Sequence, residues 1–276
     1  MTVDHAVINV RDDMDRAVER FAALGFTLTE RGYHSLGSIN HLMVFDTDYL
    51  ELVGVPVGAT RVRRDIADSP VGLNGLVFAT DDAEQLSDRL RGHGVPIEPV
   101  VSFHRPVTID GAAQCAFFRT LRLSPDYLQG GRVYFCEHAT PELVWRREWQ
   151  HHRNGARGVA EFTLVVPEPA REAARYAEVT GATPRPGASD EIELPFGTCT
   201  VRLATLDAYL ARYGNAAVDA RGRDAFMGAL ALRATALAQV RECLASLSEA
   251  IDVERSVARI TIAARHAYDT VLEFVE

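Results

Sequence analysis

A chain of 276 residues is longer than the usual single domain, so about two domains are expected. Its net charge of −9 excludes the basic face that nucleic-acid phosphates require, and no apolar run approaches the ~20 residues of a membrane span. With 47 % hydrophobic and 24 % charged residues, it reads as a globular protein with a substantial core.

All 29 basic side chains are arginine, a residue suited to carboxylates and phosphates, although genomic composition explains most of that bias. The opening MTVDHAVINVRDD carries neither a basic leader nor a signal-peptide core. Cys115, Cys136, Cys199 and Cys243 are scattered without a CxxC pair, which suggests a reduced, cytoplasmic protein.

The chain starts with an alternating strand, His5 to Val10, and an acidic turn, Asp12-Asp13. Met14, Ala17, Val18, Phe21 and Leu24 follow at helical spacing, and Gly25 ends that helix. Three further strands are expected at Thr27–Glu30, His41–Phe45 and Tyr49–Val53. A shift of 69 residues repeats the pattern: strand Asn74–Ala79, turn Asp81-Asp82, helix Ala83–Arg91 and stop Gly94. A shift of 156 gives strand Glu161–Val166, helix Ala170–Val179 and stop Gly181. A fourth copy starts near Gly228, with a strand through Arg233 and a helix over Leu237–Leu247. Strands Ile251–Glu254, Arg259–Ala263 and Thr270–Val275 complete it.

Four βαβββ units cannot each bury a sheet face alone, and pairing two closes a curved eight-stranded sheet around a cavity. The order β-α-β-β-β, with the phrases DHAVINV, YLELVGV and VLEFV, resembles the vicinal oxygen chelate superfamily and its glyoxalase-like members. A ferredoxin-like unit would need a second helix that these units lack. The expected class is α+β, with four modules in two domains whose curved mixed sheets enclose cavities. The first domain spans 1–150, with modules at about 4–55 and 72–140. The second spans 151–276, with modules at about 157–205 and 224–276. Two tryptophans, Trp145 and Trp149, mark the join as a packed segment.

Alternation directs Ala6, Ile8 and Val10 to the helix and His5, Val7 and Asn9 to the cup. Likewise Leu50 and Leu52 are core, while Tyr49, Glu51 and Val53 face inward. The resemblance implies metal ligands on the first and last strand of each module. Those columns read His5, Asn74, Glu161, Gly228 and Glu51, Cys136, Arg202, Glu273. The second domain has no imidazole in either column, and its acids beside Arg202 read as a buried ion pair, so that domain is taken as degenerate.

The resemblance makes His5 and Glu51 metal ligands of the first domain, and His138, which shares a face with Cys136 one step beyond the ligand column, is the candidate that completes a two-His, one-carboxylate metal set. Glu51 and His138 also serve catalysis, and Cys136 is a softer alternative ligand favouring zinc. One divalent ion (Zn, Mn, Ni or Fe) is the implied cofactor. A plain hydrogen-bonded His5–Glu51 pair remains the alternative. Expected substrate contacts are His41, Tyr49, Asn74, Arg119, Tyr134 and His152, with Leu76 and Phe78 as apolar lining. His34, His93, His104 and His266 read as solvated.

What the resemblance implies is a metal-dependent lyase or isomerase acting on a small organic molecule with vicinal oxygens. The alternatives are a non-catalytic sequestering protein, or an oxygenase of the extradiol type. No GxSxG, phosphate-loop or HExxH pattern supports another chemistry. The expected partner is a small molecule, with neither nucleic acid nor membrane. Relatives complete sheets across homodimers, whereas four modules can also close both cups within one chain.

Overall fold

The computed structural model describes residues 1–59, 63–188, 190–247, 253–256 and 258–276. The first module comprises β1 (Val3–Arg11), α1 (Met14–Ala23), β2 (Gly32–Tyr33), β3 (Ile39–Val44) and β4 (Tyr49–Gly54). A short α2 (Arg64–Ala67) leads to β5 (Gly72–Ala79), α3 (Ala83–Gly92), β6 (Val101–Ile109), β7 (Ala112–Arg122) and β8 (Arg132–His138). The second half starts with β9 (Ala156–Val165), α4 (Pro169–Thr180), β10 (Arg185–Pro186), β11 (Ile192–Phe196), β12 (Cys199–Ala204) and α5 (Leu206–Tyr213). It closes with β13 (Phe226–Ala234), α6 (Leu237–Ala245), β14 (Val253–Arg255), β15 (Arg259–Ile262) and β16 (Val271–Val275).

Among the described residues the strands form two eight-stranded sheets, ordered β2-β3-β4-β1-β5-β8-β7-β6 and β10-β11-β12-β9-β13-β16-β15-β14. In each, the first strands of two modules meet antiparallel at the centre, and each lies parallel to the last strand of its own module. The α+β modular architecture expected from the repeat is therefore present. No helix of the described residues is long and apolar enough to cross a membrane.

The helices form where apolar residues recur on one face. In α1 the buried side chains are Met14, Ala17 and Phe21, and Asp82 caps α3 by accepting the Gln85 amide at 2.9 Å. Gly181 ends α4 in the left-handed region at φ 74°. The helix-facing sides of both sheets share one apolar layer. Ala6, Ile8, Leu76 and Phe78 belong to it from the first sheet, and Phe162, Leu164, Phe196 and Phe274 from the second. Phe78 and Phe196 meet across that layer at 4.7 Å between ring centroids. Burying each such side chain contributes about 1.5–3 kcal/mol, so this layer, and not the cups, holds the two sheets together.

Two expectations about the strands are corrected. Thr27–Glu30 is not a strand: Thr29 meets Leu42 through one amide and its own hydroxyl, both at 2.9 Å, and the ladder begins at Gly32–Tyr33. Leu76 and Phe78 lie in the inter-sheet layer instead of lining a cup. A bulge causes this, because Val7 pairs with Gly75 and Ile8 with Leu73, so Asn74 is extra and the alternation restarts after it. Helix α5 was not anticipated at all. The expected strand Ile251–Glu254 lies partly outside the described residues, which resume at Val253.

Candidate functional site

The inner face of the first sheet encloses a hollow of about 40 Å³. A second bulge shapes it. Val3 pairs with Phe78 and His5 with Val77, so Asp4 is the extra residue of β1 and shares a face with its neighbour His5. Asp4 Oδ1 lies 2.5 Å from His5 Nδ1 and 3.1 Å from His138 Nε2. Burial pushes the Asp4 pKa up, but the charges and hydrogen bonds of His138 and His5 outweigh that and hold it well below the usual carboxylate range. An ionised Asp4 only accepts, so His5 donates its Nδ1 proton to it and turns Nε2 inward.

His5 Nε2 then faces Glu51 Oε2 at 3.7 Å and the Tyr134 hydroxyl at 3.4 Å. Tyr49 stacks on the imidazole at 4.2 Å and 12°. Asn40 Nδ2 donates to Glu51 Oε1 at 2.7 Å and fixes that carboxylate. Burial holds the hydroxyls of Tyr49 and Tyr134 and the thiol of Cys136 protonated, each with its pKa pushed up. His34 also lines the hollow, and burial lowers its pKa to about 4.

Around these groups stand the guanidinium groups of Arg63, Arg105, Arg122 and Arg132. Asp65 answers three of them, at 2.6 Å from Arg63, 3.4 Å from Arg122 and 3.5 Å from Arg132. Asn74 accepts from Arg132 Nε at 2.9 Å. Arg122, Arg132 and Tyr134 also line an outer pocket of about 580 Å³, which adjoins the hollow through them.

The hollow thus gathers His5, Glu51, Tyr49, Tyr134 and Cys136, but not the other candidates. His138 does not reach it: the ring packs against Phe118 and Trp145, with Nε2 on Asp4. His41 has the parity of Ile39 and Met43, on the opposite face, with Nδ1 bound to the Thr29 carbonyl at 2.7 Å. Arg119 alternates with Phe118 and Thr120, points outward and pairs with Glu137 at 3.6 Å. Asn74 serves by holding Arg132. His152 is a structural staple, accepting from the Thr27 amide at 3.0 Å and donating to the Val44 carbonyl at 2.9 Å. The segment carrying Trp145 does pack, covering Tyr49 and His138.

Sequence reasoning missed Asp4, His34, Asn40 and the arginines. Arg132 was legible, because it lies two residues before Tyr134 and so shares its face. Asp4 was not, since simple alternation sends it to the other side.

The inner face of the second sheet carries charged side chains. Glu161, Arg202 and Glu273 share it as an ion-pair network, as the columns implied. Arg259 reaches Glu161 at 3.0 Å and Glu273 at 2.5 Å, Arg212 reaches Glu161 at 3.0 Å, and Arg202 reaches Glu191 at 2.8 Å. Helix α5 fills the remaining space, with Tyr213 donating to Glu273 at 3.0 Å and Tyr209 to the Gly228 carbonyl at 3.1 Å. A Cβ at Gly228 would lie 2.7 Å from the Tyr209 ring, so only glycine fits in that column.

Residues 3–180 match the glyoxalase-like domain family. The chain belongs to that family. Within the vicinal oxygen chelate superfamily its glyoxalase-like fold is shared by solved structures of low sequence identity. A hypothetical protein from Staphylococcus aureus superposes with TM-score 0.70 at 12 % identity, over 99 % of this chain and 98 % of that one. A fusion of a xylose isomerase-like TIM barrel with 4-hydroxyphenylpyruvate dioxygenase gives 0.60 at 11 %, over 99 % and 49 %. A variant of 4-hydroxymandelate synthase from Streptomyces coelicolor gives 0.58 at 13 %, over 99 % and 92 %. No curated protein matches the sequence significantly.

Glyoxalase-like domains of this superfamily often use a divalent metal, and two groups in the first cup can be tested for fit. Among the described residues Asp4, Cys136 and His138 bring three donor atoms within 4.8 Å of one another. That group fits poorly, because Asp4 Oδ1 already accepts from two imidazoles. His5 Nε2 and Glu51 Oε2 fit better. Their 3.7 Å separation suits two ligands on one ion at about 2.0–2.2 Å each. The carboxylate behind Nδ1 is the partner that metal-bound imidazoles commonly have.

Proposed function

We propose that the first cup is the active site of a metal-dependent lyase or isomerase acting on a small organic molecule with vicinal oxygens. The observation that carries this reading is the line Asp4–His5–Glu51, in which a carboxylate fixes the imidazole tautomer and Nε2 faces a second carboxylate across the hollow. A bound divalent ion supplies Lewis-acid stabilisation of an oxyanion. His5 and Glu51 would hold it. Tyr134, protonated at neutral pH, donates a hydrogen bond to an oxygen placed beside His5 Nε2. Tyr49 prevents the imidazole from rotating, and Trp145 screens the cluster from water. The outer pocket accommodates the body of the substrate.

Elemental analysis and metal titration test this reading. Purified protein should take up one equivalent of zinc, manganese, nickel or iron, and both His5→Ala and Glu51→Gln should lose it. Uptake unchanged in both variants would overturn the assignment.

A binding-only protein is the second reading, favoured because His138, expected as a third ligand, is held by Asp4 instead of facing the hollow. Ligand binding without turnover in metal-loaded protein would support it. The dioxygenase neighbours share the fold at 11–13 % identity, which does not rank oxygenase chemistry above either reading.

A further inference from the structure

We propose that the hollow of the first cup is a carboxylate site, in which the Arg105 guanidinium takes the acid group of a small organic anion. The inference names the substrate class of the site described above and rests on that reading for the site's location. It does not depend on the metal.

Arg105 is only 2 % exposed, yet its Nε and Nη2 have no acceptor among the described residues. The nearby carboxylates are otherwise engaged. Glu51 holds Asn40 with one oxygen and faces His5 with the other. Asp65 is shared by Arg63, Arg122 and Arg132, and Arg132 still has an unpaired Nη2. Four guanidinium groups therefore meet two carboxylates. A buried, unpaired cation destabilises a fold by several kcal/mol unless something neutralises it. The charge of Glu51 acts on Arg105 without a hydrogen bond to its Nε or Nη2, and a ligand anion would supply the missing acceptor.

The geometry selects the anion. A guanidinium edge is a planar fork that matches the two oxygens of a carboxylate. The Thr120 hydroxyl, buried and also without a partner, stands on β7 in the same hollow. The hollow of about 40 Å³ admits a head group of a few atoms, and its boundary at Arg122, Arg132 and Tyr134 opens onto the larger pocket. His5 and Glu51 line the same small hollow as Arg105, which brings oxygens adjacent to the acid of a ligand held by Arg105 near that pair. The class that fits is a small 2-oxo or 2-hydroxy acid.

Calorimetric titration of EDTA-treated protein with oxalate, and with its neutral analogue oxamide, tests this. Oxalate should bind and oxamide should not. Arg105→Met should weaken oxalate at least tenfold, and Arg105→Lys, which keeps the charge but loses the fork, should fall between. Because the titration is run on metal-free protein, it reads the carboxylate site alone, so loss of the metal reading and loss of this one give different results. Arg105→Met should also melt no lower than the parent protein, since it removes an unneutralised buried charge. Unchanged oxalate affinity in Arg105→Met, no oxalate binding to the parent protein, or a clearly lowered melting temperature in Arg105→Met would each overturn the proposal.

Discussion

Asp4 and His5 are chain neighbours whose side chains meet at 2.5 Å on one face of a strand, an arrangement that only the bulge in β1 permits. Asp4→Asn removes the charge that fixes the Nδ1 proton. Metal affinity should fall by about 10–100-fold, as for other losses behind a histidine ligand, measured by competition with a chelating dye. An affinity equal to the parent's would detach Asp4 from the site.

Asp48 gives a pH signature. Burial raises its pKa to about 6, although the Val159 amide at 2.8 Å and Arg233 partly offset this. Because the folded value lies above the unfolded one of about 3.9, the contribution to stability is complete below pH ~4 and is lost as pH rises through about 6. Asp48→Asn should flatten that decline and gain on the order of 2 kcal/mol at pH 7. Urea midpoints at pH 4 and pH 7 decide the matter, and an unchanged difference between them would contradict it.

The ion pairs of the second cup should behave as structure. Arg259→Met leaves the buried Glu273 with Tyr213 and Thr261 as donors at 3.0 and 3.1 Å and Arg212 as its remaining cation at 3.7 Å. The loss should be about 1.5–3 kcal/mol, and Glu273→Leu added to it should recover part of that. Chemical denaturation of the two variants measures both effects. A neutral single mutant would show the network to be solvent-screened.

His152 should matter for stability and not for ligand binding. His152→Ala strands the Thr27 amide and the Val44 carbonyl, at a cost of about 2–4 kcal/mol. Metal uptake and oxalate affinity at a temperature where the variant is folded should match the parent protein. A specific loss of either would return His152 to the site.

The sequence by itself determined the module order and the faces of β4 and of β1 from His5 onward. These follow from local periodicity: a helical stripe such as Met14–Ala17–Phe21, or alternation that sends His5 and Glu51 one way and Ala6 and Leu50 the other. Only the tertiary structure decided what depends on one extra residue or on distant chain. The bulges at Asp4 and Asn74 reverse the faces of their neighbours, and a count by twos carries no sign of them. Whether His138 turns to Glu51 or Asp4, whether α5 fills the second cup, and whether Arg105 finds a partner are set by side chains far apart in sequence. Their burial and charge balance exist only once the sheets have closed.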